Sequence, residues 1–103
     1  MRNPTKKEKK YHDRLANEVG CIVCRKELGF KNQWVSIHHI DGRTKKGCHM
    51  KVLPLCYGHH QGIEGIHHPL NSVRGWEKKY GKQMDLKQQC DDILGVQYGS
   101  YYR

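Results

Sequence analysis

Val35-Ser36-Ile37-His38-His39-Ile40-Asp41-Gly42-Arg43-Thr44 is the stretch on which the reading of this chain turns. Apolar and polar residues alternate from Val35 onward, with the period of a strand that buries one face. A first strand is read over Trp34–His38, and Asp41-Gly42 begins a turn after it. Adjacent side chains on a strand point to opposite faces, or diverge where the strand ends. His38 and His39 can therefore do two jobs: one imidazole holds a cation while its neighbour reaches for a water. A second stretch answers the first. Val52-Leu53-Pro54-Leu55-Cys56-Tyr57-Gly58-His59-His60 reads as a strand over Val52–Leu55 and then a short helix from Tyr57 or Gly58. Pro54 has no N–H to give to a ladder, which puts its strand at an edge or a bulge.

The chain has 103 residues, enough for one small domain, and only 36% of them are hydrophobic. So small a core needs a staple, and five Cys with eight His suggest a metal before disulfides. Met1 to Lys10 is charged with no apolar run behind it, so no signal peptide is read, and no stretch approaches membrane-spanning length. A cytoplasmic protein without a membrane partner is the expectation. The formal net charge of +9 favours a polyanionic partner, DNA or RNA.

Cys21-Ile22-Val23-Cys24 is a knuckle or a redox pair, and no thioredoxin-like βαβ pattern surrounds it. Cys56-Tyr57-Gly58-His59 repeats the two-residue spacing downstream. Cys21, Cys24, Cys56 and His59 make a Cys3His set suited to tetrahedral structural zinc. Buried free thiols are the alternative. Cys48 and Cys90 are read as unliganded, Cys90 on a helix face and Cys48 as an alternative member of the zinc set.

Before the first knuckle, Thr5 and Glu8 have capping-box spacing, and Tyr11, Leu15 and Val19 recur every four residues. A helix is read over Thr5–Val19, closed by Gly20. Its other face carries Lys6, Lys7, Lys9, Lys10 and Arg14, which could sit against phosphates or be simply solvated. Arg25 to Gln33 is read as a loop. Arg43 to Met50 is read as another, exposing Arg43, Lys45 and Lys46. His67 lies seven positions beyond His60, two turns along the same face if the helix runs through, and the intervening Gly62 and Gly65 make a turn equally possible. Asn71 or Ser72 can cap a helix over Val73–Tyr80 closed by Gly81. Asp85 is read as the cap of a last helix over Leu86–Leu94, with Leu86, Cys90, Ile93 and Leu94 inward. Residues 96–103, rich in tyrosine, read as a tail. His12 and His68 are read as surface residues.

Two strands and a helix converging on histidines resemble the ββα-metal layout of HNH nucleases. In that family a His-His, Asp-His or Glu-His dipeptide ends the first strand, its first member a metal ligand and its second the general base. The resemblance implies His38 as ligand, His39 as catalytic base, and His60 and His67 as further ligands of the catalytic cation. A narrower likeness runs through His38-His39-Ile40-Asp41-Gly42-Arg43-Thr44, Val52-Leu53-Pro54-Leu55-Cys56, His59-His60-Gln61 and Trp76-Glu77-Lys78-Lys79-Tyr80-Gly81. Over about Gly20 to Leu94 the chain is similar to the phage Ref proteins, which are recombination-enhancement, RecA-dependent nucleases. That implies cleavage of RecA-bound DNA with Mg²⁺ or Mn²⁺ in a bacterial host, by a phage- or prophage-encoded enzyme. The expected organisation is an α+β fold: a basic N-terminal helix (1–20), a zinc-knuckled ββα-metal core with C-terminal helices (21–95), and the tail.

One departure stands out. The middle Asn of the HNH pattern, which braces the loop holding the base, should fall near position 51, where Lys51 stands with His49 close by. Two other classes compete with this reading. A catalytically inactive zinc-stapled module binding DNA or RecA needs no His38-His39 pair. A zinc deaminase needs a His-x-Glu, and the chain has none to match Pro54-Leu55-Cys56.

Overall fold

The computed structural model describes residues 3–96. Among these residues five α-helices and a two-stranded antiparallel sheet follow in the order α1 (Lys6–Arg14), α2 (Ile22–Leu28), β1 (Val35–His39), β2 (Val52–Cys56), α3 (Tyr57–His60), α4 (Val73–Tyr80) and α5 (Gln83–Leu94). The fold is a small α+β fold, and among the described residues no helix is long and apolar enough to cross a membrane.

The N-terminal helix starts as its spacing requires. Thr5 Oγ1 accepts from the Glu8 amide at 3.1 Å, and Glu8 Oε1 accepts from the Thr5 amide at 2.8 Å. These bonds satisfy two donors that every helix start leaves open. Past Arg14 the helix widens into a π-helical turn, Leu15–Val19, and Tyr11, Leu15 and Val19 are all buried. Gly20 ends it at φ 71°, and a Cβ there would meet the Asn32 carbonyl oxygen at 2.7 Å. Only glycine fits.

The first part of the loop expected over Arg25–Gln33 is helical instead: α2 runs on to Leu28. Cys21 caps it, its Sγ accepting from the Cys24 amide, and Gly29 stops it in the left-handed region. Ile22, Val23 and Cys24 go into the core. Arg25 and Lys26 sit in the last turn, where positive charge suits the helix dipole.

The strands pair with Val35 opposite Cys56, Ile37 opposite Pro54 and His39 opposite Val52. β1 begins one residue later than read: Trp34 stays outside it and is 89% exposed. Every residue of β2 is buried, and α2, α5 and the π turn pack against it. Among the described residues the sheet has two strands, so both are edges and Pro54 interrupts no central ladder.

α4 has the bounds read for it, with Ser72 Oγ accepting from the Gly75 amide at 2.9 Å. α5 starts earlier than read. Asp85 lies inside its first turn, and Glu77 Oε2 accepts from the Gln83 amide at 2.9 Å. Ile93 points outward; the buried face is Leu86, Lys87, Cys90, Asp91 and Leu94. Lys87 and Asp91 are fully buried and pair at 2.6 Å, and Tyr11 donates to Asp91 at 2.6 Å. Arg14 donates to the Leu94 carbonyl at 3.0 Å. Those contacts lock α1 to α5.

Candidate metal centres

Three groups of ligand-type side chains converge, each with its donor atoms within 4.8 Å of one another. The first is Cys21, Cys24, Cys56 and His59. The start of α2 supplies two thiols, the end of β2 the third, and α3 the imidazole. His59 Nδ1 lies 3.7 Å from the sulfurs of Cys21 and Cys24 and 3.2 Å from that of Cys56, and Cys24 and Cys56 are 3.8 Å apart. Two ligands of a tetrahedral zinc at ordinary bond lengths stand about 3.6–3.8 Å apart. The set therefore fits a metal such as zinc. Without a cation, burial pushes the Cys21 thiol up to about 12 and raises that of Cys24. A bound metal reverses that logic, because it binds the thiolate. Cys48 and Cys90 stand outside the cluster.

The second group is His38, His60 and His67. His38 leaves β1 toward α3, and its Nε2–H donates to Gln83 Oε1 at 2.7 Å. That bond fixes the tautomer and leaves the Nδ1 lone pair facing His67 Nε2 at 3.1 Å. His60 Nδ1 is hydrogen-bonded to Ser36 Oγ at 2.6 Å. His67 arrives through a turn and not along a continued helix. Its amide donates to the His60 carbonyl at 2.9 Å, and Gly65 packs so close that a Cβ would lie 2.6 Å from that same oxygen. His68 is not part of the group; its Nδ1 accepts from the Leu70 amide. Burial lowers the pKa of His38, and burial together with His38, His67 and Arg43 takes His60 to about 4. Unprotonated nitrogens are what a cation needs.

The third group is His12, His39 and His49. His39 projects from β1 to the side away from His38. Its Nε2 lies 2.9 Å from His49 Nδ1, while its Nδ1 is buried with no hydrogen-bond partner. His12, read as a surface residue, instead reaches from α1 and donates through Nε2 to the His49 carbonyl at 2.6 Å. Burial, then the charge of Arg43, takes His39 to about 4. The charge of Arg43 thus disfavours protonation of both His39 and His60. Lys51 pairs with Asp41 at 2.5 Å, and the Ile40 amide donates to the Lys51 carbonyl at 3.0 Å. Those bonds close the neck of the 41–50 loop.

Of the basic residues singled out, Lys6, Lys7, Lys9, Lys10, Arg43, Lys45 and Lys46 are exposed. Arg14 is turned inward, bonded to Glu18 and to Leu94. Beside His60 lies a cleft of about 440 Å³ lined by Trp34, Ser36, Tyr57 and Gln61 among others. Trp34 and Tyr57 present exposed rings to it.

Sequence reasoning missed Ser36, Gln83 and the joining of His12 to His49. Ser36 had a usable signal, since it stands two residues before His38 and shares its face of the strand. Gln83 had none, lying 45 positions beyond His38, on α5.

Fold and clusters together define a small α+β protein built around grouped metal-type ligands. Residues 4–95 match the family described as "Recombination enhancement, RecA-dependent nuclease", and the chain belongs to that family. The family's description makes it a nuclease acting in recombination, with DNA and RecA as the implied partners.

Proposed function

We propose that this chain is a metal-dependent DNA endonuclease of the HNH type that hydrolyses phosphodiester bonds in RecA-bound DNA, and that it derives from a phage or prophage. The observation that carries this is the divergence of His38 and His39 at the end of β1. One joins a three-imidazole cluster, and the other stands outside it, kept neutral by burial and by the charge of Arg43. The order β1–β2–α3, with His38 near the strand end and His60 on the helix, supports reading it as a ββα-metal core.

In this reading His38 Nδ1, His60 and His67 hold the catalytic cation. When bound, the cation offsets charge that builds on the phosphoryl and leaving oxygens. A set made only of nitrogen donors suits Mn²⁺ better than Mg²⁺, which prefers oxygen. Gln83 and Ser36 hold the rings of His38 and His60 in place. His39, uncharged at neutral pH, takes the proton from the attacking water. Arg43 draws the scissile phosphate toward both histidines, and Lys45 and Lys46 extend the positive edge. The Lys51–Asp41 pair closes the loop where an HNH protein would use its Asn. Cys21, Cys24, Cys56 and His59 hold structural zinc. Lys6, Lys7, Lys9 and Lys10 of α1 lie along the DNA backbone. Trp34 and Tyr57 offer faces on which an unstacked base can rest.

The test is cleavage of circular single-stranded DNA with Mn²⁺ or Mg²⁺, with and without a RecA–ATP filament. Cutting that needs the filament and is lost in His39→Ala is the expected result. Cutting of naked DNA removes RecA from the mechanism. No cutting by folded, zinc-loaded protein in either condition leaves a zinc-stapled binding module.

A further inference from the structure

We propose that His12, His39 and His49 form an additional site for a divalent transition-metal ion, with zinc as its representative, separate from the site built on His38. The three rings come from three separate elements: α1, the end of β1 and the 41–50 loop. One nitrogen of each lies within 4.8 Å of the others, the same compactness as in the two groups already described. His39 Nε2 and His49 Nδ1 are 2.9 Å apart, against 3.1 Å for His38 Nδ1 and His67 Nε2. Two nitrogens bound to one tetrahedral zinc stand about 3.3–3.4 Å apart, so only a small opening of the pair admits an ion.

The donor chemistry narrows the ligand. No carboxylate belongs to the group. Three imidazoles favour zinc and its neighbours in the transition series over Mg²⁺ or Ca²⁺. His49 is 5% exposed, and His12 and His39 are half-buried, so the rings are held by packing and their loss of freedom is already met by the fold. Three protein ligands leave one tetrahedral position open to water or an anion.

A consequence follows for the proposed chemistry, and it rests on the reading of His39 as the base. Nδ1 of His39 is buried, so the ring acts on its surroundings through Nε2. An ion on Nε2 leaves no nitrogen to take a proton from water. Filling this site and base catalysis by His39 exclude each other. The site is an inhibitory one, and it couples the basic helix to the cleavage centre through His12. Binding itself does not depend on that reading.

Equilibrium dialysis of the full-length chain against buffered Zn²⁺, counted by elemental analysis, tests it. His12→Gln should hold one equivalent fewer than the wild type; glutamine is chosen because its amide can still donate to the His49 carbonyl. In the wild type the imidazole ¹⁵N resonances of His39 and His49 should move together as the last equivalent binds, and in His12→Gln they should stay put. His60→Gln serves as the control for the other cluster. It should also lose one equivalent while keeping the His39 and His49 shifts. If it loses none, the His38–His60–His67 reading fails and this one stands. An unchanged zinc count in both His12→Gln and His49→Gln, or His39 and His49 resonances indifferent to zinc, overturns the proposal.

Discussion

The Cys21–Cys24–Cys56–His59 cluster and the His38–His60–His67 cluster both involve α3, yet they are built to opposite ends. The first offers four donors, three of them buried thiols, enough to fill a tetrahedron with protein atoms alone. The second offers three imidazoles with His67 at the surface, so a cation there keeps positions open to solvent or substrate. Neighbouring residues His59 and His60 divide between them. A four-residue helix turns one ring to the thiols and the next to β1. The difference teaches that stability and chemistry can be separated by one step along a chain.

Breaking the closed cluster should give the largest effect. Structural zinc in small domains contributes on the order of 10–16 kcal/mol of apparent binding free energy. Cys24→Ser, or a strong chelator, should abolish cooperative unfolding as followed by circular dichroism. His67→Ala should leave that transition nearly unchanged. If both variants unfold alike, the division between the clusters is wrong. Next comes the α1–α5 clamp. Lys87→Met strands the Asp91 carboxylate in the core beside Tyr11, and leaving one buried partner uncompensated costs about 3–5 kcal/mol. Urea denaturation measures it.

A smaller effect sharpens the open cluster. Gln83→Leu removes the bond that sets the His38 tautomer, and loss of such a partner weakens metal binding about 10–100-fold. Titration of Mn²⁺ against the zinc-loaded protein should show that loss with thermal stability largely kept. The smallest is Thr5→Ala, which removes a cap worth about 1 kcal/mol and should lower the melting temperature by a few degrees without touching metal content.

How far the sequence could be read follows from the range of the forces involved. Caps and four-residue spacings act within a turn, and the helix start at Thr5 and the whole of Val73–Tyr80 were legible on that account. The Cys-x-x-Cys and Cys-x-x-His spacings were likewise enough to group Cys21, Cys24, Cys56 and His59. α2 escaped because its cap is a cysteine, a residue whose metal reading hid its role at a helix start. Hydrophobicity puts Ile93 inward, while the core face takes Lys87 and Asp91, a charged pair whose carboxylate also accepts from Tyr11, about eighty positions upstream. His12 and His49 lie 37 positions apart and meet only through the packing of α1, so no local pattern announced their contact.

The pairing of β1 with β2 sets what kinds of mutation the region can absorb. His39 stands opposite Val52 and His38 opposite Leu53, and side chains alternate faces at every step. Inserting or deleting a single residue between Val35 and His39 would exchange the two histidines, sending each ring to the other's partners. Substitutions along this strand are therefore graded in their effects, whereas a one-codon change in its length acts as an all-or-none lesion. Variation in length belongs to exposed residues such as 43–46, beyond the strand end.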